Sequence, residues 1–210
     1  MKLFWFDTET SGIDPEKNGI IQLAYLIEID GVVKTKGILE ADPRKAGKVL
    51  DEEALKVNGY TPEKLDAFQA PFGLYRKLTA ALELWVNKYD RNDKFTMAGF
   101  NVEFDVKFLR QLWIESNDQF FGSWFGYGVV DPSQVWRFLQ YAGMVPQNLV
   151  KSRLVDLAAH FGIDTEDAHD ALADILMTRK VTEKLVELIN EKPPVVGRGK
   201  EAEGDSAKEG

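Results

Sequence analysis

Two runs rich in Ile, Val and Leu, Ile20–Ile29 and Val32–Leu39, are separated only by Asp30-Gly31. A two-residue Asp-Gly joint closes a β-hairpin, because its turn needs positive φ, which Asp tolerates and Gly adopts freely. Leu3–Asp7, short, apolar and aromatic, reads as a central strand ahead of them. The chain therefore begins with three antiparallel strands in sequence order. The period then changes. After a short helix at Asp51–Val57, Leu74, Leu78, Leu82, Trp85 and Tyr89 recur at steps of three and four, which predicts an amphipathic helix over Leu74–Tyr89. Phe95–Phe100 reads as a strand, followed by a helix from Val102 to about Glu115 with Asn101 as its N-cap. Val129–Val130 reads as a strand leading to a proline-started helix near Ser133–Tyr141. Leu154–Phe161 is a helix ended by Gly162, and Ala171–Asn190 is the last and longest. A meander followed by alternating strand and helix is an α/β plan with a mixed sheet.

Periodic hydrophobicity persists through residue 190, so 1–190 is expected to be one domain. Pro193-Pro194 cannot continue a helix, and the residues beyond are Gly, Ala, Ser and charge without an apolar stripe. Residues 191–210 are expected to form a disordered tail. The 210 residues contain no cysteine and two histidines, His160 and His169. Disulfides, thiolate nucleophiles, iron–sulfur clusters and His-rich zinc sites are thereby excluded. No uncharged apolar run is long enough for a membrane span, and Asp7 interrupts the amino terminus too early for a signal peptide. A soluble, cytoplasmic protein is the expectation. The net charge of −8 argues against a protein that coats nucleic acid. It leaves open an enzyme that grips a few phosphates through cations held by its own carboxylates.

Three acidic patches carry the chemistry, and each has a plainer reading beside the functional one. Asp7 and Glu9 are two apart, so on an extended strand both point to one face, where they repel unless a cation sits between them. The plain reading is a solvated strand end. Asp105 lies in the first turn of its helix, beside a buried stripe of Phe108, Leu109 and Leu112. There the plain reading is an acid favoured by the helix dipole. Asp174 follows His169 by five residues, about 140° around one helix, so a shared site places His169 in the preceding loop and Asp174 in the first turn. Asp170 is then the N-cap, and the plain reading of His169 is an exposed loop histidine. Taken singly, the plain readings win for Asp105 and His169. Taken together, a strand end and two helix starts in order outweigh them.

In these motifs the chain resembles the DEDDh 3′–5′ exonucleases, the DnaQ-like proofreading and RNA-trimming enzymes of the ribonuclease H-like fold. The motifs are Phe6-Asp7-Thr8-Glu9-Thr10, Asn101-Val102-Glu103-Phe104-Asp105 and His169-Asp170-Ala171-Leu172-Ala173-Asp174. Arg153-Leu154-Val155-Asp156-Leu157-Ala158 before Gly162-Ile163 is similar to the family as well, and the resemblance covers nearly all of 1–190. It implies a five-stranded mixed sheet of order 3-2-1-4-5, with strand 2 antiparallel and helices on its flanks. It also implies that Asp7, Glu9, Asp105 and Asp174 hold two Mg²⁺ or Mn²⁺ ions, with His169 as general base. Four carboxylates match the charge of two such ions, and hard cations prefer oxygen ligands. Such a pair can clamp the attacking and leaving oxygens of a phosphoryl displacement at a nucleic acid 3′ end. An imidazole, titrating near 6.5, suits removal of a proton from the attacking water.

Thr8, Thr10, Asn58, Asn101 and Phe104 are the candidate substrate contacts. Asn58 stands in Val57-Asn58-Gly59-Tyr60, where the family often has a histidine. Single-stranded DNA is the leading substrate, with RNA trimming as an alternative and a non-catalytic module recruited to a polymerase as a rival of another class. A polymerase or homodimer partner is a weak expectation, and no membrane association is expected. Phe120, Phe121, Trp124, Phe125 and Tyr127 could stack single-stranded bases, but the preferred reading folds them back onto the core. The basic groups Arg44-Lys45 with Lys48, Arg76-Lys77, and Lys107 with Arg110 read as solvated faces.

Overall fold

A computed structural model describes residues 1–147, 153–165 and 171–191. In chain order the elements are β1 (Lys2–Thr10), β2 (Ile20–Ile29), β3 (Val32–Glu40), α1 (Glu52–Asn58), α2 (Pro62–Leu65), α3 (Pro71–Glu83), β4 (Phe95–Ala98), α4 (Glu103–Glu115), α5 (Phe121–Trp124), β5 (Phe125–Val130), α6 (Pro132–Tyr141), α7 (Leu154–His160) and α8 (Ala171–Glu191). A 3₁₀ turn at Pro43–Ala46 follows β3. The sheet order is β3-β2-β1-β4-β5. β2 pairs antiparallel with β1 and β3, whereas β4 pairs parallel with β1 and β5. This is the mixed ribonuclease H-like sheet that the resemblance implied. The Asp30-Gly31 joint has φ values of 52° and 79°, the double positive turn that matches strand twist in a hairpin.

Alternation along β1 decides which helix covers which face. Phe4 and Phe6 join Leu23, Tyr25 and Ile27 under α3 and α4, packed on Leu74, Leu78, Phe108, Leu109 and Trp113. Trp5 points the other way, with Ala24, Leu26 and Ala98, against Ala171 and Ile175 of α8. With both faces covered, β1 and β2 read as nearly continuous apolar runs. β3 is an edge strand, and exposed Lys34 and Lys36 discourage pairing with another chain there. A further apolar cluster ties α6, α7 and α8 together through Trp136, Leu139, Leu157, Met177 and Val181. The position of α8 along the sheet is pinned by a buried acid the sequence did not single out. Glu28 accepts from Arg179 Nε at 2.7 Å and from Trp5 Nε1 at 3.2 Å.

Several element ends differ from expectation. β1 continues past Asp7 to Thr10, because Glu9 and Thr10 still pair with Gln22 and Ile20 across a bulge. The helix expected over Leu74–Tyr89 starts at Pro71 and stops at Glu83. Beyond it, the Asn87 side chain accepts from the Tyr89 N–H and Asp93 accepts from the Asn87 N–H, so side chains take over the amides a longer helix would use. β4 ends at Ala98 rather than Phe100. β5 begins at Phe125, four residues before the expected Val129. Phe121, Trp124 and Phe125 are buried as preferred, whereas Phe120 and Tyr127 are 72% and 101% exposed. Glu191, placed at the start of the expected tail, is still part of α8, and the rest of that segment lies outside the described residues.

Candidate active site

The carboxyl end of β1 gathers the acids. Asp7 and Glu9 alternate with Phe6 and Thr8, which places them on the face that carries α8. Asp174 stands in the first turn of α8, and Asp105 in the first turn of α4. Burial pushes the Asp7 carboxyl well above the usual carboxylate range, and Asp105, Glu9 and Asp174, in that order, push it further by like charge. All four acids therefore share one field, although 97 residues separate Thr8 from Asp105.

Asp105 is buried, and its Oδ1 accepts twice from Thr8: from the backbone N–H at 2.9 Å and from the hydroxyl at 2.6 Å. Burial raises the Asp105 carboxyl to about 7, the Thr8 hydrogen bonds oppose that rise, and the charge of Glu9 adds to it. The plain reading, a solvated dipole acid, does not describe this residue.

The remaining candidates are placed as follows. Thr8 is buried with both donors engaged by Asp105. The Thr10 hydroxyl donates to Gly12 O at 2.7 Å. Asn58, at the end of α1, donates through Nδ2 to Thr10 O at 2.9 Å, while its Oδ1 is buried without a hydrogen-bond partner. The Phe104 ring packs on Phe108, with centroids 5.0 Å apart. Asn101 lies beside them but does not cap α4. Its φ is +54°, a left-handed value, whereas a capping residue is extended. The N-cap position falls to Val102, whose side chain cannot accept, and the Asp131 carboxylate takes the amides of Asn101 and Val102 instead. Sequence reasoning missed Asp131. The available signal was Asp131-Pro132-Ser133, an acid just before a proline-started helix. His169 and the expected cap Asp170 lie outside the described residues.

Elsewhere, basic residues are engaged in structural contacts. Arg44 bridges Asp42 and Asp66, Lys48 pairs with Glu115, and the Arg110 guanidinium lies 4.4 Å from the Phe121 ring centroid. A cavity of about 560 Å³ opens near the carboxyl end of α4, lined by Tyr75, Lys88, Asp118, Phe120 and Trp124 among others. Asp105 lies ten residues, roughly 15 Å of helix, before the end of α4 at which the cavity opens. Two polar pairs in its lining are already made, Tyr75 with Asp118 and Lys88 with Glu83, each at 2.7 Å. The acids at the end of β1, rather than this cavity, are the candidate site.

Among the described residues, no group of three or more His, Asp or Glu side chains is arranged to hold one metal ion. What fits a cation is the donor set: oxygen only, on three elements, with two carboxyls raised by burial and by mutual charge. Divalent charge at that point would relieve the repulsion. No helix among the described residues is long and apolar enough to cross a membrane.

A family profile described as exonuclease, of the RNase T type, matches residues 4–182. No curated protein matches. Among solved structures, Escherichia coli Exonuclease I with a dT13 oligonucleotide superposes with a TM-score of 0.73 at 20% identity, covering 90% of this chain and 42% of that one. The zinc-bound Exonuclease I–single-stranded DNA complex gives 0.72 at 22% identity, covering 92% and 41%. Ligand-free Exonuclease I gives 0.69 at 20% identity, covering 92% and 42%. The chain thus spans about two fifths of these neighbours. At such identities the likeness speaks for the fold, while the profile covers most of the chain. The chain belongs to the RNase T-type, DnaQ-like exonuclease family.

Proposed function

We propose that this protein removes nucleoside 5′-monophosphates from 3′ ends of nucleic acid, single-stranded DNA foremost, in a reaction dependent on divalent metal. The observation that carries this is the convergence of Asp105, Glu9 and Asp174 on Asp7 at one strand end, in a chain of the exonuclease family. DNA is favoured by the oligonucleotides bound to the Exonuclease I neighbours.

Asp7, Glu9, Asp105 and Asp174 would hold two Mg²⁺ or Mn²⁺ ions. When bound, these supply positive charge for the attacking and leaving oxygens of an in-line displacement. Thr8 fixes the Asp105 carboxylate by two hydrogen bonds, so that ligand is preorganised. His169, by its place in the third motif, takes a proton from the attacking water as general base. Asn58, tied to the end of β1 by its Nδ2 bond to Thr10 O, is the candidate contact of the α1 end with the terminal nucleotide. Thr10, Asn101 and Phe104 remain the candidate contacts with the substrate, while Thr8 contributes through Asp105 rather than by its own donors.

The test uses 5′-labelled DNA and RNA, single-stranded and duplex, with Mg²⁺, Mn²⁺ or EDTA. A ladder shortening from the 3′ end, fastest on single-stranded DNA and absent in EDTA, is expected. Faster shortening of RNA would make it an RNA-trimming enzyme. Binding without shortening under any metal would make it a non-catalytic module.

A further inference from the structure

The passage from β4 to α4 is a tight turn built around a residue outside all three motifs. Gly99 donates its N–H to Val130 O at 3.1 Å. A Cβ at Gly99 would stand 2.8 Å from Phe6 O and 2.8 Å from a Val102 methyl, so the backbones approach closely only because no side chain is there. Asn101 then turns left-handed at φ +54°. The Asn101 N–H donates to Asp131 Oδ1 at 3.1 Å, and the Val102 N–H to Oδ2 at 3.2 Å. The Ser133 N–H, at the start of α6, also donates to Oδ1, at 2.9 Å. Asp131 is 6% exposed. One buried carboxylate closes the starts of two helices, and α4 has no side-chain cap of its own.

The consequence falls on Asp105, three residues beyond Val102. Phe104 N–H bonds to Asn101 O at 3.2 Å and Val106 N–H to Val102 O at 2.9 Å, so the first turn of α4 moves with the two residues Asp131 holds. From that turn the Asp105 carboxylate reaches Thr8 at 2.6 and 2.9 Å. A shift of that turn would carry the Asp105 carboxylate with it, away from the Thr8 donors.

We propose that Asp131 is a positioning residue: by fixing the Asn101-Val102 turn it holds Asp105 in register with Asp7, without itself facing the reacting atoms. The inference rests on the reading of Asp105 as a metal ligand in the proposed function. Three amide donors and the positive end of α4 stabilise its buried charge, which no neutral side chain of the same shape reproduces.

The test compares Asp131→Ala with Asp118→Ala, which removes a carboxylate acceptor just beyond the other end of α4. Asp118 accepts from the Tyr75 hydroxyl and the Phe120 N–H, both at 2.7 Å. Melting temperature, Mn²⁺ affinity by calorimetry, and kcat and KM on labelled single-stranded DNA are measured for each. Both variants should melt lower. Asp131→Ala alone should weaken Mn²⁺ binding and lower kcat, each by about ten- to a hundred-fold, with KM for DNA changed less than about three-fold. If Asp131→Ala does not fold, Asp131→Asn replaces it, keeping one acceptor oxygen and presenting a donor in place of the other. A smaller loss in the same two quantities is expected. Wild-type Mn²⁺ affinity and kcat in either Asp131 variant overturn the proposal, as does an equal loss in Asp118→Ala. A wild type that neither binds Mn²⁺ nor shortens DNA overturns the functional reading, and this proposal with it.

Discussion

The two ends of β1 hold acids in opposite electrostatic situations. At its start, Asp93 accepts from Lys2 Nζ at 2.5 Å and from the Asn87 N–H at 2.9 Å, and these contacts hold its carboxyl below the usual range. At its finish, burial and like charge hold Asp7 and Asp105 above it. The first arrangement stabilises the fold near neutral pH and the second opposes it. Acids gathered at a cost to folding, in a family of exonucleases, mark the candidate active end; acids answered by a lysine and an amide mark an end that holds the fold.

The largest effect separates the ends by charge-neutral substitution. Asp7→Asn and Asp174→Asn should lower activity about a thousand-fold or more, since several kcal/mol of charge stabilisation depend on the ligands. Without metal they should be at least as stable as wild type, because each removes a repelling charge. Wild type should gain about 5–10 °C in melting temperature at free Mn²⁺ a hundred times its Kd, and the variants little. Asp93→Asn should do the reverse, keeping activity and losing about 1 kcal/mol. Activity assays and melting curves with and without Mn²⁺ check all three; a metal-free wild type indifferent to Mn²⁺ would erase the distinction between the ends.

Next in size is His169→Ala. Single-turnover rates should fall about a hundred-fold, with Mn²⁺ affinity retained, because a general base is not a ligand. The wild-type rate should rise with pH as the imidazole becomes neutral. Loss of metal binding in the variant would reassign the histidine.

Stability against pH sharpens the comparison further. Asp105 titrates at about 7 when folded and about 4 when unfolded. Its contribution to stability is full below pH 4 and is lost as pH rises through 7. Asp93 runs the other way, with a contribution present above about 4 and lost as pH falls. Urea melts of metal-free protein between pH 4 and 7 should show a decline that Asp105→Asn flattens and Asp93→Asn does not. A decline unchanged in Asp105→Asn would place the raised acid elsewhere. The smallest effect concerns substrate binding. With four site acids set aside, the net charge is −8 + 4 = −4, so few phosphates are contacted. The log–log salt slope for single-stranded DNA should be about two or three. A slope near eight would reveal a basic groove.

Legibility in the sequence followed the range of the forces involved. The hairpin at Asp30-Gly31 and the long helix from Ala171 were readable because turn chemistry and periodicity are local. The end of α3 was not, since Asn87 and Asp93 draw the chain out of the helix using a residue ten positions past Glu83. Nor was the true cap of α4: Asn101 has the right residue type, but its backbone is left-handed and the amides of Asn101 and Val102 go to Asp131, thirty residues on. In the aromatic segment the pattern separated neither buried Trp124 from exposed Phe120 nor strand from loop at Phe125.

By itself the sequence determined the main strands and helices, though not α2, α5 or the start of β5, and that acids stand at their ends, because alternation, helical period and turn residues act over a few positions. The resemblance supplied the order of the sheet. Only the tertiary structure decided that Asp7, Glu9, Asp105 and Asp174 share one field, that Thr8 holds Asp105, and that the Asp105 carboxyl is lifted toward neutrality. Burial, like-charge repulsion and hydrogen bonds between distant elements depend on distances through space, and those exist only once α4 and α8 are packed against opposite faces of β1.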